Sequence, residues 1–242
     1  CIFLDPARRN EHGGKTVAIS DCEPNVAKLE GLLLSKANRI MIKLSPMLDL
    51  SQALKELPHT QEVHIISVNN ECKELLLLLG QTAPEEIPVH CVNLSTKGEQ
   101  EKQLFVFTRE QEQHSECSYT DTLGNYLYEP NASLLKAGAF RSIAAAYSVK
   151  KLHPNSHLYT SDTQIEGFPG RTFRIINRCS LNKKEIKENL SDLKKANITV
   201  RNFPATVAEL RKRIKLAEGG DTYLFASTLN DGQKILIRCG KV

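Results

Sequence analysis

CIFLDPARR, Cys1 to Arg9, reads as a short apolar strand, Cys1 to Leu4, cut off by an acid and a proline. Proline fixes φ and has no N–H to donate, so Pro6 ends the strand and leaves Asp5 at its carboxyl end. A second segment repeats the device: Arg39 to Leu44 (RIMIKL) reads as a strand and ends in Ser45-Pro46. Between them, Glu23 to Ser35 has helical spacing at Val26, Leu29 and Leu33. Alternation of strand and helix builds a sheet whose neighbouring strands are parallel. In such an open sheet, ligands bind in the crevice beyond the carboxyl ends of the strands. That places Asp5 and Pro6 at a crevice, with Lys43 and Ser45 beside them. A carboxylate there accepts hydrogen bonds from an amino group, and Arg8 and Arg9 offer forked donors suited to carboxylate or phosphate. The plain alternative is an aspartate that caps a turn beside two solvated arginines.

Further along, Leu50 to Leu57 reads as a short helix stopped by Pro58, and Glu62 to Val68 as a third strand. Glu71 to Leu79 is predicted as a helix that ends at Gly80. Val89 to Leu94 and Gln103 to Thr108 are strand candidates joined by a polar segment, as a hairpin would be. The expectation is a mostly parallel sheet covered on both faces, with an antiparallel edge. Residues 109–123 are polar and aperiodic and read as a connector. Glu129-Pro130-Asn131 reads as a helix entrance, and the Ala-rich helix it opens runs from Ala132 to about Val149. A strand at His157 to Thr160 follows Pro154.

The tail carries the clearest signals. Arg171 to Asn177 alternates like a strand, and Asn182 caps a helix with Glu185 at its third position. Ile198 to Asn202 is a strand, and Thr206-Val207-Ala208-Glu209 is a capping box opening a helix closed by Gly219-Gly220. Strands at Thr222 to Ser227 and Lys234 to Arg238 flank the turn Asn230-Asp231-Gly232. The order β-α-β-α-β-β makes a small α+β domain. The domain division expected is 1–115, 124–168 and 169–242.

Composition excludes some classes. The 242 residues are 40% apolar and 25% charged, average for a globular chain. The sequence has no apolar run of the roughly 18 residues a bilayer span needs. Seven cysteines stand singly without CxxC spacing, as small core residues of a reducing, cytoplasmic compartment would; no metal site is expected. His153 and His157 are four apart, but Pro154 breaks a helical ligand pair. The net charge of +4 hides an asymmetry: from Arg171 onward there are 16 Lys+Arg against 7 Asp+Glu, or +9. A basic tail on a mildly acidic body suits a polyanion partner, with ordinary solvated helix faces as the alternative. Arg201, Arg211, Lys212, Arg213 and Lys215 are the candidate phosphate contacts there.

The strand ending in Asp-Pro, the helix, the strand ending in KLSP and the strand pair resemble the second half of a class I S-adenosylmethionine (SAM) methyltransferase, a Rossmann-like fold. Asp5-Pro6 is similar to that family's fourth motif, Asn/Asp-Pro-Pro-Tyr/Phe in enzymes that methylate exocyclic amines. YLYEPNASLLKAGAF, HPNSHLYTSD and RNFPATVAELRKRIKLAEGGDTYLFA resemble the ferredoxin-like and THUMP-like segments of a bacterial family of RNA methyltransferases. The resemblance implies SAM as cofactor and RNA, tRNA or rRNA, as partner. It implies Asp5 and Pro6 as catalytic, Asp5 and Arg8 at the cofactor, and Arg9, Lys43 and Ser45 toward the substrate. Two departures bear on the chemistry. Ala7-Arg8 replaces the Pro-Tyr pair, so the base-stacking aromatic is missing from this motif. Ser45 stands where carbon methylation of uracil would need a cysteine. The family's Gly-rich first motif lies upstream of this strand, so the chain is expected to be the carboxyl-terminal portion of a longer enzyme. By themselves these 242 residues are expected neither to hold SAM tightly nor to turn over. The competing expectation is a non-catalytic RNA-binding or interaction protein on a degenerate methyltransferase scaffold.

Overall fold

The computed structural model describes residues 1–8, 19–96 and 102–242. It divides into two compact units: Cys1–His114 with Asn131–Ala139, and Ser115–Pro130 with Phe140–Val242.

In the first unit the strands are β1 (Ile2–Leu4), β2 (Ala7–Arg8), β3 (Cys22–Glu23), β4 (Ile40–Leu44), β5 (Thr60–Val68), β6 (Glu71–Leu79), β7 (Pro88–Leu94) and β8 (Lys102–Thr108). The helices are α1 (Val26–Lys36), α2 (Leu50–Glu56), α3 (Arg109–His114) and α4 (Ala132–Ala137). Six strands form one sheet in the order β1-β4-β6-β5-β7-β8, and β2 pairs with β3 apart from it. The β1–β4 pair is parallel, as the helix between them requires. Asn25 and Asp49 cap α1 and α2 through their side chains, each satisfying a backbone N–H that the helix start leaves unpaired.

The sheet is mixed rather than mostly parallel, and the reason is β6. Glu71 to Leu79 is a strand, not the predicted helix. Asn69 and Asn70, both with positive φ (50° and 63°), make a two-residue turn that returns the chain beside β5. The leucine run Leu75 to Leu79 satisfies helical and strand periods alike, so the turn decides. As a strand it buries Leu75, Leu77 and Leu79 and leaves Leu76 and Leu78 half-exposed. It inserts antiparallel between β4 and β5. The β7–β8 hairpin forms as expected.

Residues 109–114, predicted as connector, form the short helix α3. The predicted helix from Ala132 to Val149 is two helices. Gly138 takes φ +77° and closes α4, and α5 (Arg141–Tyr147) begins after it in the second unit. The α4 helix packs in the first unit, where Asn70 accepts the Ala132 N–H at 2.8 Å.

In the second unit the strands are β9 (Tyr126–Pro130), β10 (Lys150–Lys151), β11 (Tyr159–Ser161), β12 (Gly170–Cys179), β13 (Asn197–Val200), β14 (Thr222–Thr228) and β15 (Lys234–Lys241). The helices besides α5 are α6 (Lys183–Leu190) and α7 (Val207–Ile214). All seven strands form one sheet, β10-β11-β9-β12-β15-β14-β13. β12 pairs with β9 along Gly170–Arg174 on one edge and with β15 along Phe173–Cys179 on the other, with a register shift between Ile175 and Asn177 in the β15 pairing. Gly170 is required in the β9 pairing: a Cβ there would lie 2.1 Å from the Glu129 carbonyl oxygen. Alternation along the strands feeds two cores. Phe173, Phe225, Ile235 and Ile237 face one way with Leu127, Leu152 and Leu158. Leu224, Ala226 and Leu236 face the other way, under Leu190 of α6 and Leu210 of α7. The capping box opening α7 is complete.

Candidate functional site

Asp5 follows the last residue of β1, and Lys43 is the penultimate residue of β4. Their side chains meet at 2.6 Å, Lys43 Nζ to Asp5 Oδ2, at the carboxyl end of this parallel pair. Both reach solvent, at 54% and 31% exposure for the aspartate and the lysine, so the pair is available to a ligand. Glu74 of β6 approaches the same ammonium at 3.9 Å. The hydrogen bond that Lys43 donates to Asp5, and then the Glu74 charge, raise the Lys43 pKa above its ordinary value. A cleft of about 360 Å³ opens over them, lined by Asp5, Pro6, Lys43, Ser45, Glu74 and Cys22 among others.

The sequence-derived residues Asp5, Pro6, Lys43 and Ser45 therefore converge. Ser45 also serves the turn, its Oγ accepting the Met47 N–H at 3.2 Å. Arg9 and the side chain of Arg8 lie outside the described residues; the Arg8 backbone pairs with Cys22, which brings that cysteine to the cleft. Glu74 and Lys73 went unread in the sequence because they sat in the segment predicted as helix. Their place at the cleft follows from the antiparallel register of β6, in which Leu44 faces Leu75.

In the second unit the basic residues divide. Arg201 forms an ion pair with Glu129 at 2.8 Å, and Arg171 donates from Nε to the same carboxylate at 2.9 Å. Glu129 is 1% exposed, a buried carboxylate held between two arginines. Arg211 donates to the Ala196 carbonyl, and Arg213 to that of Leu181. The three predicted arginines are thus engaged within the domain. Lys212 and Lys215 are exposed, as are Lys183, Lys184, Lys187, Lys194 and Lys195. Backbone bonds between Ala217 and Lys194 and between Ala196 and Ala217 bring the last turn of α7 beside Lys194 and Lys195. The result is a lysine-rich outer surface over α6 and α7.

His153 and His157 do not form a ligand pair. His153 Nδ1 accepts from the Asn155 N–H at 3.0 Å and sits 3.0 Å from the Asn202 amide. His157 stacks on Phe140, ring centroids 3.7 Å apart. Desolvation, then the charges of Lys151 and Arg201, push its imidazole down to about 4 from 6.5. Between those values the unfolded chain binds a proton that the folded one refuses, so His157 makes stability rise with pH across that window. The urea midpoint is expected to fall on acidification from pH 6.5 toward 4, and His157→Phe to flatten that limb. An unchanged limb in the variant would assign the acid sensitivity to other groups.

The family models match the tail in two pieces: a ferredoxin-like domain over residues 126–169 and a THUMP domain-like module over residues 170–241. In the structure these two share the single seven-stranded sheet, apart from residues 131–139, which pack in the first unit. No protein of curated function matches the sequence. Among solved structures, the crystal structure of a putative methyltransferase from Porphyromonas gingivalis W83 aligns with 100% of this chain, at 40% identity and a TM-score of 0.90. The chain spans 59% of that protein's length. From end to end, then, this chain resembles part of that putative methyltransferase, a mixed α/β sheet followed by ferredoxin-like and THUMP-like segments.

Proposed function

We propose that this chain is part of a SAM-dependent RNA methyltransferase, with the Asp5–Lys43 cleft at the reaction centre and the lysine-rich surface of the second unit gripping RNA. The observation that carries the reading is the cleft itself. It lies beyond the carboxyl ends of the parallel pair β1 and β4, in a chain 40% identical to a protein described as a putative methyltransferase.

SAM, when bound, supplies an electrophilic methyl group. The cleft sets carboxylates and ammonium groups side by side, Asp5 and Glu74 with Lys43 and Lys73, a donor set that fits a ligand carrying both charges, as the amino-acid end of SAM does. Displacement at a methyl carbon asks chiefly for orientation of the nucleophile and a group to accept its proton. Asp5 accepts a hydrogen bond from the attacking group, Pro6 fixes the turn that aims it, and Lys43 holds the carboxylate in place. Ala7 supplies no ring to stack on a base, so orientation falls to the RNA-gripping surface.

That grip is electrostatic in this reading. Lys212 and Lys215 are exposed on a domain with a net charge of +9 from Arg171 onward. Each lysine–phosphate contact contributes about one unit to the salt slope of binding. In the full-length protein, Lys212→Glu with Lys215→Glu is expected to weaken binding of total small RNA about tenfold or more near 0.1 M salt and lower the slope by about two. Unchanged affinity and slope would place the RNA elsewhere.

A further inference from the structure

On the first unit, a group outside the cleft brings three ligand-bearing side chains to one point. β5 and β7 run parallel with His64 directly opposite His90, and Glu62 stands two residues before His64 on the same face. Glu62 Oε2 lies 3.2 Å from His64 Nε2 and 3.9 Å from His90 Nε2. All three ligand atoms fall within 4.8 Å of one another. The two imidazoles stack with centroids 4.4 Å apart and planes 8° from parallel. None of the three is fully buried, so both an ion and water reach them.

We propose that Glu62, His64 and His90 form a binding site for a divalent first-row ion, zinc by preference, with its remaining coordination open to water. Two imidazole nitrogens and a carboxylate oxygen are a donor set that suits zinc and its neighbours, and three protein ligands with an open position is a common zinc arrangement. Bonds of about 2.0–2.1 Å in tetrahedral geometry put ligand atoms about 3.3 Å apart. The carboxylate–imidazole separations are at or near that value, so closure is a side-chain adjustment without movement of the strands. An ion shared by both rings lies near both ring planes, so binding tilts the imidazoles out of their stack toward each other. Anchored in β5 and β7, the ion ties adjacent strands and therefore stabilises the folded unit by mass action.

The test uses the full-length protein without a polyhistidine tag, titrated with Co²⁺ in a phosphine reductant. One equivalent is expected to bind, with visible d–d absorption and no sulfur-to-cobalt band in the near ultraviolet, and zinc is expected to displace it. His64→Ala and His90→Ala should each weaken binding by about tenfold or more, since even outer-shell partners of a metal ligand are worth that much. Zinc should raise the melting temperature of the wild type and not that of the double variant, whose fold is checked by circular dichroism. A double variant that binds cobalt like the wild type, no stoichiometric binding at micromolar metal, or a sulfur-to-cobalt band would each overturn the proposal.

Discussion

Asp5→Ala in the full-length protein is expected to lower the rate of methyl transfer to RNA by about a hundredfold or more, with RNA affinity unchanged. The expectation follows from where the carboxylate sits and from what does not depend on it. Asp5 is more than half exposed, and its partner Lys43 retains Glu74 at 3.9 Å when the aspartate is gone. An exposed pair of this kind contributes little to stability, so the variant folds and the loss reads chemistry. The pair's pH dependence supports the same separation. Lys43 has a raised pKa, so its interaction is present below the ordinary lysine value and is lost only as pH climbs through the raised one. At neutral pH the pair is intact in the wild type. Full activity in Asp5→Ala, measured by labelled methyl incorporation, would remove Asp5 from the reaction centre.

Glu129→Ala is expected to destabilise the second unit strongly. Its carboxylate is buried between Arg171 and Arg201 and lies on β9, directly opposite Arg171 of β12. Removing it leaves two guanidinium groups without their counter-ion. Breaking a buried ion pair from one side costs roughly 3–5 kcal/mol. Both arginines are more than a third exposed and rehydrate in part, so about 3 kcal/mol is expected. For a unit of this size that lowers the melting temperature by about 10 °C. Glu129→Gln should fall between, because it keeps the shape and loses the charge. A melting temperature within about 2 °C of wild type for Glu129→Ala would show that the arginines are solvated in place and that Glu129 is dispensable.

What could be read from the sequence divides along physical lines. The prolines after Asp5 and Ser45 mark strand ends on their own, because proline cannot continue a strand pairing. Their meeting in one cleft followed from parallel pairing across a helical crossover. Capping signals were equally local: Asn182 and the Thr206–Glu209 box open α6 and α7 as expected. β6 failed because its leucines carry no single period and its turn is Asn-Asn, where glycine is the usual marker. That one error hid Glu74 from the cleft and made the sheet look more parallel than it is. The long helix after Asn131 failed at Gly138, whose left-handed φ divides it between the two units.

Long-range register was the other barrier. Glu62, His64 and His90 are unremarkable in sequence, the two histidines standing 26 positions apart, and only the parallel pairing of β5 with β7 sets them side by side. The same holds for Glu129, read as part of a helix entrance because strand β9 was not recognised. Its partners come from β12 and from the residue after β13, a combination that local pattern cannot supply. The basic tail was legible as charge alone. Which basic residues stay uncommitted depends on long-range contacts, in which the arginines bind Glu129, Ala196 and Leu181.

The central claim, that Asp5 and Lys43 mark a methyl-transfer site serving RNA, is tested most directly by one measurement. Full-length protein is incubated with methyl-labelled SAM and total small RNA, and the label in purified RNA is counted beside that from Asp5→Ala. Label is expected in RNA from the wild type, and about a hundredfold less from the variant. RNA that binds the protein in a salt-dependent manner yet takes up no label from any SAM concentration would contradict it, and would leave an RNA-binding protein on a methyltransferase scaffold.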